Sequence, residues 1–119
     1  METVTITSIT AEFYVDKTIT IDIEKAFGIT KGKHVILADV ELWAKWLRYD
    51  TPEPDVELDL EYAMGTDLAK PILIGKIAGY GTIPLDGHHR LWKAYKTKVK
   101  FLPAYVLNES ETLNCKVKS

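Results

Sequence analysis

Residues 71–107 change hydrophobic pattern in an order that few folds accommodate. Pro71-Ile72-Leu73-Ile74-Gly75-Lys76-Ile77 is a short apolar run that reads as a strand. Ala78-Gly79-Tyr80-Gly81 reads as a turn, and Thr82-Ile83-Pro84-Leu85 as a second strand ending at Asp86. Leu91, Ala94 and Tyr95 then recur at i, i+3 and i+4, which predicts a helix from about His88 to Lys96 with these three in the core. Phe101-Leu102-Pro103-Ala104-Tyr105-Val106-Leu107 reads as a last strand, with Pro103 predicting an edge position or a bulge. Two strands, a helix and a third strand point to a sheet with helices packed on it.

The remaining segments are less regular. Thr3, Thr5 and Thr7 alternate with Val4 and Ile6. A run over 12–15 and another over 18–23 flank Asp16-Lys17, and the pattern predicts an N-terminal β-hairpin with a short break. Ala26-Phe27-Gly28 reads as a turn or a single helical turn, and His34-Val35-Ile36-Leu37 as a short apolar run. Asp39 has the chemistry of an N-cap, and Val40, Trp43, Trp46 and Leu47 behind it predict a helix to about Tyr49. Trp43 and Trp46 share a face of that helix, which serves either the core or a homo-oligomer or protein-partner contact. Residues 50–55 read as a solvated loop. Over 56–64 the alternation of Glu57, Asp59 and Glu61 with apolar residues reads as an acidic edge strand, while a helix over 58–64 satisfies the same residues. The polar tail from Asn108 is expected to fray.

The chemistry concentrates in Asp86-Gly87-His88-His89-Arg90, where strand gives way to helix. The first N–H groups of a helix have no intrahelical acceptor, and the helix dipole favours negative charge beside them. Arg90 is a permanent cation whose planar fork suits bidentate phosphate contacts. His88 and His89 can donate to phosphate oxygens and titrate near neutrality. One charge-assisted hydrogen bond is worth roughly 1.5–3 kcal/mol against about 0.3–1 kcal/mol for the dipole, so the arginine should dominate anion binding. Asp86-Gly87 serves equally well as a plain helix cap and turn. Adjacent histidines on a helix point about 100° apart, which disfavours a shared metal, and no cysteine or HExxH-type spacing supports zinc. Trp92 is expected to pack, and Lys93, Lys96, Lys98 and Lys100 to form a solvated face.

Lys70-Pro71-Ile72-Leu73-Ile74, Pro84-Leu85-Asp86-Gly87-His88-His89-Arg90-Leu91 and Leu102-Pro103-Ala104-Tyr105-Val106-Leu107, in that order and spacing, resemble the ParB/sulfiredoxin superfamily over about residues 67–110. The resemblance implies a single α/β (α+β) domain over 1–119, with a small mixed sheet and packed helices. It implies binding of a nucleoside triphosphate, ATP or CTP, with or without Mg²⁺ held by the phosphates. It further implies that Gly87 lets the backbone approach the phosphates and that His88, His89 and Arg90 contact them. Asp86 matches the acid of kinase-like members, leaving phosphoryl transfer or nucleotide hydrolysis open, with Asp86 and His88 as the candidate catalytic residues. His88 stands where sulfiredoxins carry their catalytic cysteine, and Cys115 matches nothing, so sulfiredoxin chemistry is not expected. The partition proteins of the superfamily carry Gly-Glu-Arg-Arg at this point, and this chain lacks the length for their DNA-binding helices.

Composition narrows the alternatives. The 119 residues, 46% hydrophobic and 27% charged, suit one globular domain. The net charge of −2 argues against DNA as a strong partner. The balance is uneven, with fourteen acidic against eight basic residues over 1–85 and three against seven over 86–119. The basic third therefore contains the anion-friendly junction. No apolar run reaches the ~20 residues of a membrane span. The absence of a signal-peptide pattern and the lone Cys115 predict a cytoplasmic protein. Besides nucleotide binding, two readings stand: a non-catalytic binding or regulatory module of a plasmid, phage or other mobile element, and a nuclease, against which the acidic balance speaks.

Overall fold

The computed structural model describes the backbone of residues 3–10, 15–51, 58–77 and 81–117, and the side chains of these segments from residue 20 onward. Thr3–Thr10 (β1) and Val15–Asp22 (β2) form an antiparallel hairpin, in register from Thr3 opposite Asp22 to Thr10 opposite Val15. The expected break at Asp16-Lys17 is absent. Both residues lie within β2, because ladder hydrogen bonds belong to the backbone and two charged side chains do not interrupt them. The connecting residues 11–14 lie outside the described residues.

Short helices follow, each started by an acidic side chain. Asp22 accepts from the Lys25 N–H and caps Ile23–Ile29 (α1), where only a turn or one helical turn was expected. Asp39 ends strand Ile36–Asp39 (β3) and, as expected, caps Val40–Trp46 (α2) through the Leu42 N–H. This helix stops short of Tyr49. Arg48 takes a positive φ of 63°, the Tyr49 N–H donates back to the Ala44 carbonyl at 2.8 Å, and the reversal buries Leu47 and Tyr49. Asp59 caps Leu60–Met64 (α3), so the acidic edge strand is not formed there. The reason is local. Asp59 accepts from the Tyr62 N–H at 3.0 Å, and the helix buries Ala63. Most of the expected loop over 50–55, and Val56 and Glu57, lie outside the described residues.

The strongly patterned region forms as its residues predict: Ile72–Ile77 (β4), Gly81–Asp86 (β5), His88–Lys96 (α4) and Phe101–Leu107 (β6). Of the expected turn over 78–81, residues 78–80 lie outside the described residues, and Gly81, at φ 87°, instead opens β5. The four strands form a mixed sheet in the order β3-β6-β4-β5, with β4 and β6 parallel and the other pairs antiparallel. This is a small mixed α/β domain with packed helices. Pro103 therefore sits in an inner strand, not at an edge, and opposite Leu37 the ladder is unbulged. The sheet tolerates it because pairing with β4 begins one residue later, at Ala104.

Alternation along β4 divides the core. Ile72 and Ile74 face α2 and α4, joining Val40, Ala44, Leu91 and Ala94. Leu73 and Ile77 face the other way, toward Ile21, Ile23, Ile83 and Leu107. As far as Val117, the tail is structured and not frayed. Asn108 and Glu111 form a capping box for a final helix, Glu109–Asn114 (α5), whose Thr112 is buried. Past it, the Asp22 N–H donates to the Cys115 carbonyl and the Val117 N–H to the Thr20 carbonyl, both at 2.8 Å, which ties residues 115–117 to β2. No helix among the described residues is long and apolar enough to cross a membrane.

Candidate functional site

Four of the five helices in the described residues carry a side-chain N-cap; α4 does not. Its cap is Gly87, at φ 101° and ψ 18°, a left-handed conformation that strains any other L residue. The first intrahelical bond, from the Leu91 N–H to the Gly87 carbonyl, leaves the N–H groups of His88, His89 and Arg90 without helical acceptors. Asp86, one residue before the cap, is not the capping side chain. Its carboxylate accepts from Arg90 instead.

This end of α4 forms one wall of an open cavity of about 790 Å³. All five residues of the sequence motif line it. The opposite wall comes from α3 and the loop after it, through Glu61, Tyr62, Thr66, Asp67 and Lys70. Three contacts besides those of Arg90 hold the walls together. The His89 Nε2 accepts the Asp59 N–H at 3.2 Å, which places the proton of the neutral ring on Nδ1. The Tyr62 and His89 rings meet edge-on with centroids 5.0 Å apart. The Lys93 Nζ donates to the Thr66 carbonyl at 2.7 Å, so this lysine does not belong to the solvated face expected of it.

Arg90 has more structural work than its sequence position suggests. Its Nη1 donates to the carbonyls of Lys70 and Pro71, each at 3.0 Å, and its Nη2 donates to Asp86 Oδ2 at 3.1 Å. The guanidinium thereby pins the approach to β4 against the β5–α4 junction. Two of its five N–H donors, on Nε and Nη2, keep no partner among the described residues. Gly87 likewise has a packing role. A Cβ there would fall 2.4 Å from Ile72 Cγ2, so the glycine lets α4 begin directly on β4.

His88 is mostly buried. Burial pushes its imidazole below the ordinary histidine range, against the raising effects of the Asp86 carboxylate and a hydrogen bond to the Pro84 backbone. Burial therefore favours the neutral imidazole. Its carbonyl accepts the Tyr49 hydroxyl at 2.9 Å, which ties the end of the α2 region to the first turn of α4. Around the cavity, Glu61, Asp67 and Asp86 stand against Lys70 and Arg90, so the lining is mixed in charge. Of the alternating acids Glu57, Asp59 and Glu61, Glu61 lines the cavity, Asp59 contributes its backbone N–H to His89, and Glu57 lies outside the described residues. Among the described residues, no group of three His, Cys, Asp or Glu side chains is arranged to hold a metal ion.

The α3 wall escaped sequence reasoning. Tyr62, Thr66, Asp67 and Lys70 lie 18 to 28 residues before His88–Arg90 along the chain, and only the packing of α3 on α4 brings them together. The one local signal was Asp59 as an N-cap three residues before Tyr62. Comparisons with protein-family models, curated proteins and solved structures returned no match to this chain.

Proposed function

We propose that this domain binds the phosphates of a nucleotide in the cavity between α3 and the start of α4. The single observation that carries the reading is the N-terminus of α4 on that cavity, with no side-chain cap and with three N–H groups that lack helical acceptors close to the guanidinium of Arg90. A volume of about 790 Å³ lies in the range of small-molecule sites. In this reading the N–H groups of 88–90 and the two spare Arg90 donors hold phosphoryl oxygens, with Lys70 as a further cation. His89 orients the α3 wall. The His88 imidazole and the Asp86 carboxylate are the groups placed to move a proton if phosphoryl transfer or hydrolysis takes place.

Calorimetric titration with ATP, CTP and GTP, with and without Mg²⁺, tests the proposal. Saturable binding below millimolar concentration supports it, and no heat at millimolar nucleotide removes it. Release of inorganic phosphate then separates an enzyme from a module that only binds. Turnover lost in Asp86→Asn with binding retained assigns catalysis to the junction.

A second reading, a non-catalytic module that docks a protein partner, has one observation in its favour. Trp43 packs on the core, but Trp46, edge-on to it at 5.7 Å, is half exposed, and Leu42 on the same helix is exposed as well. Nucleotide binding without turnover, together with loss of a partner interaction in Trp46→Ala, would favour it.

A further inference from the structure

The four-stranded sheet has two edges, and they are finished differently. β5 contains Pro84, its pairing with β4 slips between Leu73 and Ile74, and Ile83, Pro84 and Leu85 are buried. Proline, irregular pairing and cover are the devices that stop an edge strand from recruiting another chain. β3 has none of them. It pairs with β6 without a break from Ile36 opposite Ala104 to Asp39 opposite Phe101, it contains no proline, and β6 is its sole strand partner among the described residues. Val35, Ile36 and Leu37 are 47%, 47% and 68% exposed. Phe101, across the ladder from Asp39, is exposed too, so four of the ten exposed large hydrophobic residues among the described residues lie on β3, just before it or opposite it.

The charges along the edge select the occupant. Lys31, Lys33 and His34 precede β3, while Asp39 and Glu41 end and follow it. A strand with this charge order complements itself only when laid antiparallel. Aligned about Leu37, a second copy brings Lys33 of each chain toward the end of β3 and the start of α2 in the other, where Asp39 and Glu41 lie, whereas a parallel copy would face like charge with like. Within the chain Lys33 pairs with Glu111 in a partly buried contact and Glu41 with Lys45 in an exposed one, so an interfacial pair would share Lys33 with Glu111.

We propose that a second copy of this chain docks on β3, pairing β3 to β3 antiparallel across a two-fold axis and joining the two sheets into one. The strand is only four residues long, so the contact is a modest one whose occupancy depends on concentration.

Sedimentation velocity on the full chain, from micromolar to millimolar concentration, tests this. The expected result is a mass rising from 13.5 kDa toward twice that value. Leu37→Lys, at an exposed position, should keep the fold by circular dichroism and remain monomeric. Lys33→Glu and Glu41→Lys should each weaken association about tenfold, and the double variant should restore it. A monomer at every concentration overturns the proposal. So does a dimer that survives Leu37→Lys, or a double variant that stays as weak as the single ones.

Discussion

Gly87 stands so close to Ile72 that a Cβ on the glycine would lie 2.4 Å from Ile72 Cγ2 and 2.7 Å from its Cβ. The contact joins the start of α4 to the first residue of β4, and it coincides with a φ of 101°. Either property alone selects glycine. Together they predict that Gly87→Ala costs about 2–4 kcal/mol, from left-handed strain plus overpacking against a buried isoleucine. Urea denaturation measures this directly. A loss under about 0.5 kcal/mol would mean that α4 does not sit on β4 as described.

Arg90 and Asp86 form the second tie at this junction. The arginine side chain is 13% exposed and donates to two carbonyls and one carboxylate. Lysine cannot reproduce that fork, so Arg90→Lys should destabilise the fold by roughly 2–3 kcal/mol. Asp86→Asn keeps an acceptor oxygen for Nη2 and should cost only about 1 kcal/mol. The same variant removes a carboxylate from the cavity lining. If phosphate binds there, Asp86→Asn should therefore tighten it several-fold, and calorimetry with wild type and variant side by side checks the sign.

Tyr49 predicts an alkaline limit to stability. It is 3% exposed, its hydroxyl donates to the His88 carbonyl, and burial raises its phenol far above the ordinary value. A folded pKa above the unfolded one means that stability is complete below about pH 10 and falls as pH rises past it, where only the unfolded chain ionises readily. Tyr49→Phe should lose about 1 kcal/mol at pH 7 and flatten the decline above pH 10. Equilibrium unfolding at pH 7, 9 and 10.5 separates the two effects.

What the sequence disclosed follows the strength of each local signal. His88–Lys96 and Phe101–Leu107 are legible because periodicity, glycine and composition agree along them. Leu60–Met64 was ambiguous because a five-residue helix has too few turns to show a period, while its acidic neighbours imitate alternation. Glu109–Asn114 was overlooked although Asn108 and Glu111 spell a capping box. The five-residue motif was found where it lies on the cavity, since contiguous residues share a place in any fold. The facing wall could not be read, because it depends on α3 packing against α4. Arg90 shows the limit most clearly. Its type signalled an anion contact, while the Lys70 and Pro71 carbonyls that occupy half of its fork are visible only in three dimensions.

His88 predicts an acid limit. Burial lowers its folded pKa, so as pH falls through about 6.5 the unfolded chain takes up the proton first. Stability should therefore decline below pH 6.5 and level off only beneath the folded value. His88→Gln should remove that part of the pH dependence. Denaturation at pH 5, 6, 7 and 8 gives the comparison, and parallel curves for wild type and variant would show that His88 is not the group responsible.

Cys115 offers a reporter for the tie of residues 115–117 to β2. It is 1% exposed, its thiol donates to the Glu111 carbonyl at 3.3 Å, and burial pushes the thiol above its ordinary range. The thiolate is the reactive form, so a disulfide reagent should modify the native protein far more slowly than the unfolded chain, by about 100-fold or more at pH 7.5. The barrier is opening of α5, which the Asn108–Glu111 capping box holds shut. Asn108→Ala should remove about 1 kcal/mol of that protection and speed labelling roughly fivefold, leaving the unfolded rate unchanged. Because the Cys115 carbonyl also accepts the Asp22 N–H, the opening that exposes the thiol should also loosen β2. Hydrogen exchange at Asp22 should then accelerate in step with labelling of Cys115, and independent rates would show that helix and strand open separately.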